Sequence, residues 1–318
     1  MKNVSSFKPL VVITGPTATG KSRVGALVAE KTNGEIVSAD SMLIYRGMDI
    51  GTAKPTEAER RGIPHYMIDI IEPDQEYSVA LYQVQARTVI DDIHQRKKLP
   101  FLVGGTGLYI NSVISNYSFS GIKGDSSIRD ALIKEAISGG PGLLHRKLSV
   151  VDPEAASRLH PGDTRRIIRA LEVHYLTGKP ISYHHKADEQ KSPYNHVILG
   201  LTLDREKLYM RIEHRVESMI NSGLVDEVRG LLERGYSPEL NSMRGLGYKE
   251  IISYLKGDLT LDQAVEVLKR NTRRFAKRQH TWFRRYKDIK WFDIEKHGGY
   301  EAVAQEITKH VEGVFQGL

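Results

Sequence analysis

The chain has 318 residues, 40% hydrophobic and 27% charged, a globular balance with room for two domains or for one domain carrying a large insertion. It has no cysteine, which excludes disulfides, thiolate zinc sites and a cysteine nucleophile and fits a reducing, cytoplasmic setting. No apolar run approaches the roughly 20 residues that span a bilayer, Met1–Leu10 lacks the apolar stretch of a secretory signal, and a net charge of +7 suits a polyanionic partner.

Lys8–Thr14 reads as a buried strand built on Leu10-Val11-Val12-Ile13. It runs into the turn Gly15-Pro16-Thr17 and a helix from about Lys21 to Lys31. Glu35–Ser38 is a second short strand, ending at Asp40, and Tyr66–Ile71 a third. Val79–Arg96 has helical periodicity without Gly or Pro. Phe101-Leu102-Val103 is a strand ending in Gly104-Gly105-Thr106-Gly107, with a helix continuing through Ile110 and Val113. Strands alternating with helices predict a parallel sheet covered on both faces.

Near Asn116 the pattern changes to Gly/Ser-rich turns and helices punctuated by Pro153, Pro161 and Pro180. Ile128, Leu132, Ile133, Ala136 and Ile137 share one side of the first helix, and Ile167, Ile168, Leu171 and Tyr175 one side of a later one. Val197–Thr202 looks like a core strand again. Residues 118–196 are therefore read as a mainly helical insertion in an α/β core formed by 1–117 and 197–318. Leu261–Tyr286 is the clearest helix of the remainder. Leu261, Val265, Leu268, Phe275, Trp282, Phe283 and Tyr286 fall on one face, and the other half is basic. Residues 267–287 hold nine Lys or Arg and no acid; taking those nine from +7 leaves −2, so the basic excess is local.

Gly15-Pro16-Thr17-Ala18-Thr19-Gly20-Lys21-Ser22 fits G-x-x-x-x-G-K-[S/T], and it follows an apolar strand and opens a helix, as that phosphate loop requires. Glycines let backbone N–H groups approach phosphate oxygens, and the helix N-terminus adds partial positive charge. Lys21 neutralises the terminal phosphates and Ser22 can hold Mg²⁺. The loop suits nucleotides such as ATP as well as other diphosphates, so it does not identify the reaction.

Asp40 ends its strand on the same sheet edge, where it can act as general base, hold a metal or simply cap a turn. Gly104–Gly107 can bring backbone and the Thr106 hydroxyl against a substrate, or form a plain turn. Asp69 resembles the acid of a Walker B strand. Arg211 and Arg215, one helical turn apart, can clamp a diphosphate or, beside Glu213 and Glu217, form an ion-paired surface; Asp163-Thr164-Arg165-Arg166 and Arg129 allow the same two readings. His184-His185 lacks partners at metal spacing and reads as loop or surface. On residues alone, a small-molecule or nucleoside kinase, another diphosphate enzyme and an RNA-binding module all remain open.

Six motifs in order resemble the bacterial tRNA isopentenyltransferase (dimethylallyltransferase) family over nearly the whole chain. They are Gly15–Ser22, Ser38–Lys54, Gly104–Tyr109, Asp163–Leu171, Arg211–Val216 with Gly223-Leu224, and Gly245–Tyr248. The resemblance implies a P-loop NTPase-like core and transfer of a dimethylallyl group from dimethylallyl diphosphate to N6 of adenosine 37 in the tRNA anticodon loop. It implies Mg²⁺ as cofactor and a monomer acting without a membrane. By the same resemblance Asp40 is the base, Thr106 and Arg129 contact RNA or reacting groups, and Gly15, Pro16, Thr17, Ala18, Thr19, Gly20, Lys21, Ser22, Arg215 and Arg211 hold diphosphate. Asp40, Ser41, Met42 and Leu43, together with Asp163, Thr164, Arg165, Arg166 and Ile167, are implied to contact tRNA.

Overall fold

The computed structural model describes residues 8–115, 124–140, 142–187 and 192–315. Contacts divide the chain into two compact units, Met1–Ile114 with Tyr194–Leu318, and Ser115–Pro193. The turns expected at 116–123 lie outside the described residues.

In the first unit the order begins β1 (Pro9–Thr14), α1 (Lys21–Lys31), β2 (Gly34–Ser38), α2 (Glu57–Arg60), β3 (His65–Tyr66), α3 (Val79–Gln95), β4 (Leu99–Val103) and α4 (Gly107–Ile114). The second unit is helical: α5 (Ser126–Ser138), α6 (Leu143–Val151), α7 (Pro153–Arg158), α8 (Thr164–Thr177) and α9 (Ile181–Ala187). The first unit resumes with β5 (Asn195–Thr202), α10 (Arg205–Asn221), α11 (Leu224–Glu233), α12 (Tyr248–Leu255), α13 (Leu261–Phe283), β6 (Ile289–Asp293) and α14 (Tyr300–Val314).

The six strands form one parallel sheet in the order β3-β2-β4-β1-β5-β6. Every residue of β1, β2 and β4 is buried, as a parallel sheet covered on both faces demands. Val11, Ile13, Ile36, Phe101 and Leu199 pack with Val24 and Val28 of α1 and Val303 and Ile307 of α14. Their alternates, Leu10, Val12, Val37 and Leu102, pack with Tyr82 and Ile90 of α3, Ile110 of α4 and Phe283 of α13. Ile13 pairs with Val103, and Val103 with Ser38, so the segments after β1, β4 and β2 leave the sheet side by side at its C-terminal edge. That register, more than any single contact, places the site. A third cluster joins Ile44, Tyr45 and Met48 to α10–α13 through Val216, Val228, Tyr248, Ile251 and Leu268.

The helical second unit has its own core of Leu132, Leu148, Ile167, Ile168 and Leu171.

Three sequence expectations need correction. The strand expected at Tyr66–Ile71 ends at Tyr66, because Met67 and Asp69 take left-handed conformations with φ of 62° and 54° that break the pleat. A sixth strand, Ile289–Asp293, was not foreseen; it pairs with β5 at the sheet edge. His184 and His185, read as loop or surface, lie within α9, which removes the loop alternative.

Candidate active site

The phosphate loop is shaped by groups that leave no room for alternatives. Gly15 has φ +142°, and a Cβ there would stand 2.3 Å from the Leu201 carbonyl oxygen. Gly20 caps α1 with φ +82°, and its missing Cβ leaves space for the ring of Tyr300, which would otherwise lie 2.2 Å away. Ala18 takes φ 63°, a conformation that strains a residue with a side chain and turns the peptide planes of the loop. Thr19 Oγ1 donates to the Pro16 carbonyl at 2.8 Å, and Lys21 Nζ donates to the same oxygen at 2.7 Å. Thr14 Oγ1 donates to the Gly104 carbonyl at 3.0 Å, tying the loop after β1 to the loop after β4.

Asp40 follows β2 on a turn held from both sides. Its Oδ1 accepts from the Met42 N–H at 2.9 Å, so it does cap its own turn. Thr106 serves this turn: its N–H donates to the Ala39 carbonyl, and its Oγ1 accepts from the Ser41 N–H, each at 3.0 Å. Gly104 belongs to the same arrangement, since a Cβ there would lie 2.2 Å from the Ala39 carbonyl.

Lys21, Asp40 and Arg215 line one cleft of about 590 Å³, with Thr17, Ser22 and Thr52. Lys21 is half-buried as a residue, but its ammonium is desolvated. Burial pushes it down to about 7, against the pull of nearby Asp40 and helped by the positive charge of Arg215. Arg215 is likewise shifted down by burial, with Asp40 opposing. Its Nη1 reaches Thr17 Oγ1 at 3.4 Å and its Nη2 the Thr52 carbonyl at 3.5 Å. At the phosphate loop, Lys21 and Arg215 thus face Asp40 across a space sized for a small anionic ligand, and burial leaves both cations short of solvation until an anion arrives.

Arg211 departs from the expected diphosphate clamp. It lies over the ring of Tyr300, 5.2 Å from the centroid, donates to the Tyr300 hydroxyl and is absent from the cleft lining. Glu213 and Glu217, its expected surface partners, instead bind Arg273 and Lys269 of α13 at 2.7 and 2.9 Å. Asp69 pairs with the buried Lys54, which also donates to the Tyr45 carbonyl, and stands outside the cleft lining. It anchors a loop where a Walker B acid had been expected.

In the second unit Arg129 binds buried Glu172 at 2.7 Å and shares that carboxylate with Arg169. Asp163 caps α8 by accepting from the Arg166 N–H, and Thr164, Arg165 and Arg166 are exposed. Ile167 is 1% exposed within the core, so its side chain is closed to RNA.

Two further residues are central and were not foreseen. Glu227 of α11 accepts from three successive backbone N–H groups, Asp49, Ile50 and Gly51, at 2.9, 2.7 and 3.0 Å, and from the Tyr248 hydroxyl at 2.7 Å. It fixes the wall of the cleft at Thr52. Gln279 of α13 accepts from the Thr17 N–H at 2.8 Å and donates to the Gly105 carbonyl at 2.9 Å. A signal for it existed: Gln279 lies three residues after Ala276 and four before Phe283, a polar group on the face that helical period assigns to the core. Glu227 carried no such mark.

The IPP transferase family model matches residues 43–286. The chain belongs to the IPP transferase family. A tRNA dimethylallyltransferase of Pelotomaculum thermopropionicum is 64% identical over 99% of this chain and 100% of its own length. One from Desulforudis audaxviator is 56% identical over 96% and 98%. The crystal structure of a full-length tRNA isopentenylpyrophosphate transferase from Bacillus halodurans superposes with a TM-score of 0.72, at 45% identity and 96% coverage of both chains. A eukaryotic dimethylallyltransferase, solved in the act of modifying tRNA, gives a TM-score of 0.78 at 31% identity, covering 90% of this chain and 74% of its own. The IPP transferase match begins after the phosphate loop and Asp40, while the relatives align across both.

Proposed function

We propose that this chain transfers the dimethylallyl group of dimethylallyl diphosphate to N6 of adenosine 37 in the tRNA anticodon loop, releasing diphosphate. The observation that carries this reading is the shared cleft of Lys21, Arg215 and Asp40: an anion seat and a carboxylate in one space. The loop from Gly15 to Ser22, with Arg215, holds the diphosphate. As the allylic C1–O bond breaks, charge gathers on the leaving oxygen, and Lys21, Arg215 and loop N–H groups stabilise it there. The adenine amine forms the N6–C1 bond and gives its proton to Asp40. Thr106 holds the turn that aims Asp40.

Among the described residues no three His, Cys, Asp or Glu side chains gather to hold a metal. The exposed Ser22 at the cleft offers one hydroxyl, which suits Mg²⁺ bound mainly through phosphate oxygens and water. Such an ion would neutralise diphosphate charge.

The target base is stacked in its loop and must be turned out, at a cost of a few kcal/mol that is least in single-stranded RNA. Exposed Arg270, Arg274, Lys277 and Arg278 on α13, with Arg284 at its C-cap, supply a phosphate-binding face. Ser41, Met42 and Leu43 beside Asp40, and Thr164, Arg165, Arg166 and Arg129 of the second unit, are proposed RNA contacts. No helix among the described residues is long and apolar enough to cross a membrane.

The test is incubation with labelled dimethylallyl diphosphate or [γ-³²P]ATP, with and without tRNA. Label entering RNA from the allylic donor alone supports the proposal; phosphoryl transfer from ATP instead would replace it with a kinase. Asp40→Ala should bind tRNA as well as wild type and lose at least ~100-fold in turnover. Undiminished turnover would remove Asp40 as the base.

A further inference from the structure

Helix α13 comes down on the site at two side chains, Gln279 and Trp282. Gln279 is 6% exposed. Its carbonyl oxygen takes the Thr17 N–H of the phosphate loop and its amide nitrogen gives a hydrogen to the Gly105 carbonyl, so both ends are satisfied by backbone. Those partners lie 262 and 174 residues away in sequence, on the loops after β1 and β4. The glycines opposite the helix make the approach possible. A Cβ on Gly105 would stand 2.3 Å from Gln279 Nε2, and one on Gly107 2.1 Å from Trp282 Nε1. A Cβ at either position would push these side-chain ends out of place, so the hydrogen bonds of Gln279 as seated depend on the bare backbone at Gly105.

The bridge has a consequence for the anion seat. Thr17 lines the cleft, and its hydroxyl is the group that Arg215 reaches at 3.4 Å. Fixing the Thr17 amide fixes the side chain that stands beside the diphosphate arginine. The same helix, one and two residues before Gln279, presents Arg278 and Lys277 to solvent, with Arg274 a turn earlier and Arg284 at its C-cap. Lys269 and Arg273, the cations nearer its start, are held by Glu217 and Glu213 of α10, the helix that carries Arg215. One rigid rod therefore bears RNA-binding cations on one face and a two-ended clasp for the donor loop on the other.

We propose that Gln279 is a positioning residue that couples the two substrates: RNA drawn against the outer face of α13 seats the helix, and the Gln279 clasp then orders the phosphate loop for the diphosphate. The inference rests on the proposed function for the identity of the ligands. Linkage makes the effect mutual, so diphosphate must tighten RNA by the same factor.

The experiment is an equilibrium cycle with the full chain, inorganic diphosphate with Mg²⁺, and an anticodon stem-loop RNA. The wild-type Kd for diphosphate should fall about 5- to 50-fold when RNA is saturating, within the usual range of coupling between sites. In Gln279→Ala that ratio should drop below about 2-fold, with a raised KM for the allylic donor and a smaller change in kcat. Gln279→Glu keeps the acceptor for Thr17 and loses the donor to Gly105, so it too should uncouple while preserving side-chain volume. It serves as the folded comparison if the alanine variant is unstable. Hydrogen exchange at the Thr17 amide adds a local readout: RNA should slow it in wild type and not in Gln279→Ala, which lacks the acceptor. Wild-type coupling near 1, or coupling retained in both variants, overturns the clasp. Those results leave the labelled-transfer assay untouched, so failure of the clasp and failure of the proposed reaction are separately visible.

Discussion

The Lys21 ammonium donates to the Pro16 carbonyl while burial holds it near about 7, against the ordinary 10.5. Its protonation is therefore open to change at physiological pH, and a bound diphosphate, placing negative charge beside it, favours the charged form. The sign follows. Above pH 7 the empty site loses this proton, so diphosphate affinity falls as pH rises, and binding at pH 8 draws a proton from solution. Calorimetry in buffers of different ionisation heats should find that wild type takes up close to one proton more per diphosphate than Lys21→Met at pH 8, and that the difference vanishes at pH 6. Equal proton counts at pH 8 would mean that Lys21 stays charged in the empty site. The same shift makes the unfolded chain bind more protons between about 7 and 10.5, so the Lys21 contribution to stability becomes less unfavourable as pH rises through that window.

At this scale the sequence was legible where chemistry is local. A phosphate loop must have its glycines, lysine and hydroxyl at fixed spacing, and an acid after a strand must emerge at the sheet edge. Arg215 and Arg211, however, look equivalent in sequence. Only the neighbours of α10 separate them, since Tyr300 captures one and Thr17 with Thr52 receives the other.

Among elements, the segment between β2 and α2 shows how a wall can be built without regular structure. Glu227 satisfies three successive N–H groups, Lys54 is held by Asp49, Asp69 and the Tyr45 carbonyl, and Gly51 leaves room for Tyr248, whose ring a Cβ would approach to 2.6 Å. Glu227→Ala should strand these donors, destabilise the protein by about 2–4 kcal/mol and raise the donor KM about tenfold, as Arg215 loses its fixed Thr52 carbonyl. Thermal melting together with steady-state kinetics checks both halves; an unchanged KM would show that the wall does not need this carboxylate.

Periodicity found α13 and its basic face, yet not its function as a clasp, because an amide on a helix gives no hint of partners more than 170 residues distant. The short β6 escaped for a related reason. Lys290 and Asp293 interrupt a five-residue run whose strand character depends on pairing with β5.

For the molecule as a whole, charge is the property that crosses scales. The nine cations of 267–287 are not all available, since Lys269 and Arg273 hold α10. The five named on the exposed face of α13 would give a salt slope near 3.5 in log Kd against log salt if each met a phosphate of single-stranded RNA. Charge reversal at Arg274 and Lys277 should weaken tRNA binding uniformly and reduce the slope by about 1.4. A slope unaffected by these changes would place the RNA elsewhere.

The position of β1 has one further consequence. It is the first strand in the chain and lies in the interior of the sheet, with β4 on one side and β5 on the other, and β5 follows only after the whole second unit. A ribosome that has delivered residues up to Ile114 has made the phosphate loop and Asp40, but not Arg215, Glu227, Gln279 or Tyr300. During that interval β1 has a bare apolar flank, a state that invites aggregation or chaperone capture. The nascent chain accordingly acquires the ability to hold its donor late in synthesis, and products of interrupted translation carry the motif without the competence.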